Sequence, residues 1–228
     1  MALRALIFDV DGTLAETEEI HRAAFNGVFE GEGLPWRWDV DLYRELLRVT
    51  GGRERMAAYA ERIGVAVGQE QIAKMHKAKN AAYGSMVRAG AAVLRPGVAR
   101  LMDEAARAGV ALAICTTTSR ANIDALLEAA FGPQGERRFA TLVCAEDAPV
   151  KKPAPDAYLL VLQRLGLPAW QCLAIEDSRN GLNAATAAGL KTLLTPSLYT
   201  AHENFDGAAR VVADLGLVSL ADAQALLA

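Results

Sequence analysis

The sequence predicts a doubly wound, mostly parallel (Rossmann-like) α/β sheet with an α-helical domain inserted after its first strand. Three observations carry this. Short runs that are apolar throughout recur along the chain, helical patterns closed by glycine alternate with them, and residues 16–90 contain helical patterns alone. Strands of a parallel sheet are buried on both faces, so they read as continuous rather than alternating apolar runs. Parallel strands also need crossover connections, which helices supply.

The first run, LRALIFDV, stops at two aspartates. TEEIHRAAFNGVFE, DLYRELLRV, RERMAAYAERIG and QEQIAKMHKAKNAAYGSMVRAG then follow with helical spacing and no strand between them. A structureless connection of that length inside a compact domain would be exceptional. The reading is therefore a core of residues 1–15 and 91–228, and a helical cap of residues 16–90 hinged near 15–19 and 90–96. Beyond it, strand-like GVALAICTTT, ATLVCAED, CLAIEDS, LKTLLTP and ARVVADL alternate with helical patterns ending at Gly109, Gly132, Gly166 and Gly189. Glycine just past the last periodic residue is a helix stop signal. In GLNAATAAG, Gly181, Ala184, Ala185 and Ala188 share one face, a stripe suited to close packing on the sheet.

Composition narrows the function. The 228 residues are 52% hydrophobic and 22% charged, with net charge −3. No basic field points to nucleic acid or an anionic membrane. No stretch is long enough to span a bilayer, and the N-terminal apolar run is too short for a signal peptide. Cys115, Cys144 and Cys172 each lie in or beside an apolar run and read as buried thiols of a reducing compartment. The expectation is a cytoplasmic monomer.

In open α/β sheets, ligands sit beyond the carboxyl ends of the strands. Four such ends carry unusual groups: Asp9 and Asp11; Thr116, Thr117, Thr118 and Ser119 before a helix; Lys151 and Lys152 before a proline; and Glu176 and Asp177. Side by side, these ends would bring four carboxylates together. Two like charges about 4 Å apart repel by about 4 kcal/mol at an effective dielectric near 20, so a hard divalent cation such as Mg²⁺, with Asp9, Asp11, Glu176 and Asp177 around it, resolves the clash. Asp9 can then attack a phosphoryl group. Asp11, not needed for attack, can protonate the leaving oxygen and later activate water. Thr116 and Thr117, with their amides at a helix start, would cradle phosphate oxygens, and Lys152 would stabilise the charge that builds on them.

DVDGTLAET, the threonine of ICTTTS, KKPAPD and IEDSRNG resemble the four motifs of the haloacid dehalogenase-like superfamily, specifically its phosphatases with a helical cap after the first strand. The resemblance implies Asp9 as nucleophile and Asp11 as acid/base and metal ligand through its backbone carbonyl. It further implies Thr116 as phosphate binder, Lys152 as charge stabiliser and Asp177 as metal ligand with Glu176 alongside. AETEEIHRAAFN, TGGRERM and TPSLYTAHENFDGA are similar to the Calvin-cycle-associated phosphatases that act on xylulose-1,5-bisphosphate, a Rubisco inhibitor. This implies a small phosphorylated sugar as substrate and partner.

For the cap, Glu16, His21, Tyr43, Gly51, Gly52 and Arg53 are the substrate-binding candidates, with Thr117, Thr118 and Lys152 from the core. Gly51 and Gly52 would let the backbone approach a ligand closely, and Arg53 after them suits a second anion. Arg44, Arg48, Arg55 and Arg120 carry no assigned role. Trp36 and Trp38 read as packing residues. A sugar-phosphate mutase on the same scaffold is the alternative. A non-catalytic receiver or sensor would need neither Asp11 nor a lid.

Overall fold

The computed structural model describes residues 2–148 and 150–228. Among them six strands form one parallel sheet: β1 Ala5–Phe8, β2 Ala111–Cys115, β3 Thr141–Val143, β4 Cys172–Glu176, β5 Lys191–Leu194 and β6 Arg210–Val211, in the order β3-β2-β1-β4-β5-β6. Strand β1 is central. Its Phe8 lies opposite Ile114 of β2 and Ile175 of β4, so Asp9, Thr116 and Asp177 emerge side by side at the carboxyl edge. The strand order reverses between β1 and β4, the switch point where such sheets bind ligands.

Alternation along the strands divides the core by size. Leu6, Phe8, Leu112, Ile114, Leu173 and Ile175 face helices α5 (Val98–Arg107) and α6 (Arg120–Phe131). On the other face, Ala5, Ala113, Cys115, Cys172 and Ala174 are small, and α7 (Asp156–Leu165) and α8 (Arg179–Ala187) pack there. Ala184, Ala185 and Ala188 are buried in that second layer, as the small-residue stripe predicts. All three cysteines are buried free thiols. The last strand is shorter than ARVVADL suggests: two exposed residues at the sheet edge pair with β5.

Between β1 and β2 lie α1 (Glu18–Gly31), α2 (Val40–Leu46), α3 (Gly52–Arg62) and α4 (Gln69–Arg88). They enclose a separate apolar cluster built on Phe25, Phe29, Trp36, Trp38, Tyr43, Met56 and Met75. Phe29 and Trp38 meet edge-on, their centroids 4.8 Å apart, the arrangement aromatic quadrupoles favour. Both tryptophans are thus packing residues. The two connections to the sheet meet at Ala15, which bridges to Asp11 on one side and to Leu94 on the other. Among the described residues no helix is long and apolar enough to cross a membrane. A final short helix, α9 (Leu220–Ala225), closes the chain.

Candidate active site

Asp9 leaves β1 buried, and its charge is met at once. Lys152, also buried, donates from Nζ to Asp9 Oδ1 at 2.7 Å, to Glu176 Oε1 at 2.6 Å and to the Cys115 carbonyl at 2.8 Å. All three ammonium protons have acceptors, so the lysine is fixed. Tyr158 donates to the same Glu176 oxygen at 2.7 Å. Gly181 makes room for that carboxylate: a Cβ there would lie 1.9 Å from Glu176 Oε2. The glycine of EDSRNG is therefore needed for the geometry of the strand end before it.

Carboxylate oxygens of Asp9, Glu176 and Asp177 lie within 4.8 Å of one another, all buried. Burial raises the pKa of Asp9, and Glu176 and Asp11 add to the rise against the attraction of Lys152. Asp177 is driven up by burial and by Asp9 and Glu176. Burial disfavours the Lys152 ammonium, yet Asp9 and Glu176 hold its pKa above the usual lysine range. One cation for three carboxylates leaves excess negative charge in a low-dielectric place. That all-oxygen donor set fits a hard divalent cation.

Three of the four acidic groups converge there; the side chain of Asp11 does not. It turns toward the helices, accepting from Thr17 Oγ1 at 2.5 Å, from Thr118 Oγ1, and facing His21 Nε2 at 3.0 Å. Burial works to raise its pKa, but the His21 ring and the hydrogen bonds from His21, Thr118 and Thr17 outweigh it and hold the carboxyl well below the usual range. The intervening Gly12 has φ +79°, and a Cβ there would lie 2.3 Å from Asp177 Oδ2. Only glycine permits the first loop to lie so close to the fourth strand end.

Opposite these groups is a cleft of about 340 Å³, lined by both the sheet edge and the helices. Thr116 is buried at its floor, and its hydroxyl accepts from Thr118 N at 3.1 Å. Thr117, Thr118 and Ser119 continue the wall to the N-terminus of α6. Gly51, Gly52 and Arg53 line the far side at the start of α3, with Gly51 at φ +97°. His21 lies behind Asp11, stacked on Tyr83 with centroids 4.1 Å apart.

Two of the cap candidates lie elsewhere. Glu16 faces away from the cleft, half-exposed, with Oε1 3.2 Å from Arg95 Nε; the chain has not yet turned into α1 at that point. Tyr43 is fully buried under the cleft, donating to Glu18 Oε2 at 2.7 Å and accepting from Arg55 Nη1 at 3.1 Å. The residue that reaches the cleft is Glu18, which Tyr43 holds. Lys151 pairs with Glu54 of α3 at 2.6 Å and ties the sheet edge to the helices. Arg44 pairs with Asp41 and lies over the Tyr199 ring. Arg48 is exposed, and Arg120 pairs with Asp124 and Glu136.

The sequence reading missed Glu18, His76 and Lys79. On α4, His76 and Lys79 stand three apart and both line the cleft. Burial lowers His76 to about 4, with Lys79, Arg53 and Lys151 adding to the fall. The i, i+3 spacing on one helix face was the available signal.

The haloacid dehalogenase-like hydrolase family matches residues 3–189. The chain belongs to that family, as one of its phosphatases. "Protein CbbY" of Rhodobacter capsulatus is 52% identical over 215 residues, covering 94% of this chain and 95% of that one. A variant of CbbY from Rhodobacter sphaeroides, solved in complex with xylulose-1,5-bisphosphate, superposes with TM-score 0.94 at 43% identity, covering 97% and 99% of the two chains. The β-phosphoglucomutase of Clostridium difficile shares the fold, with TM-score 0.82 at 19% identity over 99% of this chain and 97% of that one.

Proposed function

We propose that the chain is a Mg²⁺-dependent phosphatase of a small sugar bisphosphate, xylulose-1,5-bisphosphate, working through an aspartyl-phosphate. The observation that carries this is the separation of the two aspartates. Asp9 stands in the acidic cluster beside Lys152, whereas the Asp11 carboxylate is held toward the cap by Thr17, His21 and Thr118. One is suited to attack, the other to move protons.

In this reading Asp11, ionised in the free enzyme, takes up a proton as substrate binds; a free oxygen of Asp9 then attacks phosphorus, the bond to the sugar oxygen breaks, and Asp11 delivers that proton to the leaving alkoxide. Asp11, now ionised, takes a proton from water, which attacks the acyl phosphate, releasing phosphate and restoring Asp9. Mg²⁺, held by Asp9 and Asp177, the Asp11 carbonyl and Glu176 alongside, would neutralise the phosphoryl oxygens. Thr116, Thr117 and Thr118 bind those oxygens, and Lys152 turns to them the N–H it directed at Asp9 while Glu176, held by Tyr158, keeps its orientation. Arg53, Gly51 and Gly52 bind the second phosphate, joined by His76 and Lys151. Glu18, fixed by Tyr43, accepts hydrogen bonds from sugar hydroxyls, and His21 orients Asp11.

The division into core 1–15 and 91–228 and cap 16–90 follows from the same reading, with the cap closing over substrate. The Calvin-cycle role, a cytoplasmic location and a monomeric state complete the proposal. It rests on the likeness to the CbbY proteins and on a cleft with cationic groups at both ends. The test is phosphate release from xylulose-1,5-bisphosphate, compared by kcat/KM with phosphorylated pentoses and hexoses, with and without Mg²⁺. Preference for a hexose monophosphate, with phosphate returned to the sugar as a bisphosphate, would favour a mutase instead.

A further inference from the structure

Arg95 lies on the second connection between sheet and cap, and no step above uses it. Its side chain is buried, and its guanidinium reaches three separate stretches of chain. Nη1 donates to the Gly12 carbonyl, and to the carbonyl and hydroxyl of Thr195 at 2.6 and 3.1 Å. Nη2 donates to the carbonyls of Pro196 at 2.8 Å and Ala213 at 3.2 Å. Nε faces Glu16, and the backbone N–H of Arg95 donates to the Leu14 carbonyl at 2.8 Å. The Glu16 end is half-exposed and screened by water, so the buried carbonyls dominate.

The addresses of those carbonyls matter. Gly12 follows Asp11, and its α-carbon faces both Asp177 Oδ2 and Ser197 Cβ. Thr195 and Pro196 lead directly to Ser197 and to Thr200, whose hydroxyl donates to the Asp177 carbonyl at 2.8 Å. Asp177 therefore stands between two walls, and Arg95 grips each of them. We propose that Arg95 is a positioning residue that sets the spacing between the Asp11–Gly12 peptide and Asp177 and keeps it constant while the connections to the cap flex. A planar fork with five N–H donors can hold diverging carbonyls in this way; a lysine, donating from one point, cannot.

The inference rests on the roles given above to Asp11 and Asp177. Its failure is separable from theirs, because Asp11→Asn and Asp177→Asn test those roles without touching Arg95. The experiment uses full-length Arg95→Lys. It records kcat and KM on p-nitrophenyl phosphate and, independently of turnover, the Mg²⁺ concentration that gives half of the thermal shift. Misplacement near 1 Å lowers rates on the order of 100-fold, so kcat should fall roughly 10- to 100-fold with KM within about twofold. The Mg²⁺ midpoint should rise by about tenfold. Leu227→Ala, in the buried cluster behind α9, is the control that lowers Tm and leaves kcat and the midpoint alone. If Arg95→Lys behaves like that control, Arg95 serves the fold only and the proposal is wrong. Arg95→Gln repeats the test should the lysine variant not fold; if neither folds, a purely structural role is established and the proposal likewise falls.

Discussion

Lys79 Nζ lies 2.5 Å from Nδ1 of His21, which places a buried amine one imidazole ring away from the Asp11 carboxylate. Burial pushes Lys79 down to about 7; Asp11 opposes that fall and Arg55 adds to it. Between there and the ordinary lysine value of 10.5, the folded protein holds a neutral amine while the unfolded chain stays protonated. The unfolded state then binds more protons, so stability rises with pH across that window; below it, the full cost of burying the charge remains. One such proton contributes up to about 1.4 kcal/mol per pH unit. Lys79→Met should flatten the rise, read as urea midpoints at about pH 7.5 and 9.5 for both proteins. An unchanged slope would mean that Lys79 stays charged in the fold.

Asp9→Asn keeps shape and removes the attacking charge. Turnover should fall to background, while the protein in chelator keeps or gains thermal stability, since one carboxylate leaves a crowded cluster and Lys152 retains Glu176. Comparable activity would sink the covalent mechanism.

Metal removal should be visible without any substrate. Asp9 and Asp177 have raised pKa values, so the folded protein binds more protons than the unfolded chain above the ordinary aspartate value of 3.8. Stability of the chelated protein should therefore fall as pH rises through the acidic range toward neutrality. Added Mg²⁺ should restore it saturably, by about 2.7 kcal/mol at 100 times its Kd. In Asp177→Asn most of that gain should vanish, and Glu176→Ala should lose less of it. Calorimetry at several Mg²⁺ concentrations measures all three; a flat Tm in the parent protein would exclude a metal from this cluster.

Arg53 is exposed at the cleft mouth and makes no ion pair among the described residues. A charge-assisted contact to phosphate contributes roughly 1.5–3 kcal/mol, about 10- to 100-fold in kcat/KM. Arg53→Ala should lose about that factor on a sugar bisphosphate and much less on p-nitrophenyl phosphate. Equal losses on both would show that Arg53 supports closure rather than recognition.

The sheet and its edge were legible because each strand end carries its chemistry beside a helix start. The same glycines that stop the helices appear in the chain as punctuation. The reach of cap side chains was not legible. Glu16 and Glu18 are two positions apart in one acidic run, yet only the second faces the cleft, because α1 begins between them. Tyr43 looked available in sequence but is swallowed by the aromatic cluster of Trp38 and Phe25. Lys79 sits in a polar-looking stretch and is buried only because α4 lies against α1, over the rings of Phe25 and Tyr83. Tertiary packing decided each of these cases; the i, i+3 spacing of His76 and Lys79 marks a shared face and says nothing of what covers it.

The central position of β1 has a consequence for how the molecule comes to exist. Its two hydrogen-bonded neighbours begin at Ala111 and Cys172, so β1 lacks its second partner until Cys172–Glu176 has been made. Pairings at such sequence distance close large loops and slow folding. Until β4 has emerged, Asp9 has neither Glu176 nor Asp177 beside it, and a shortened chain ending earlier contains every cap residue and no site. The helices of residues 18–88 share the cluster of Phe25, Phe29, Trp36, Trp38 and Met56 and precede β2 in the chain, so that packing can form before the sheet does. Synthesis thus delivers the helices before the sheet that carries Glu176 and Asp177, and the segments that brace Asp177, Thr195 to Thr200, come later still.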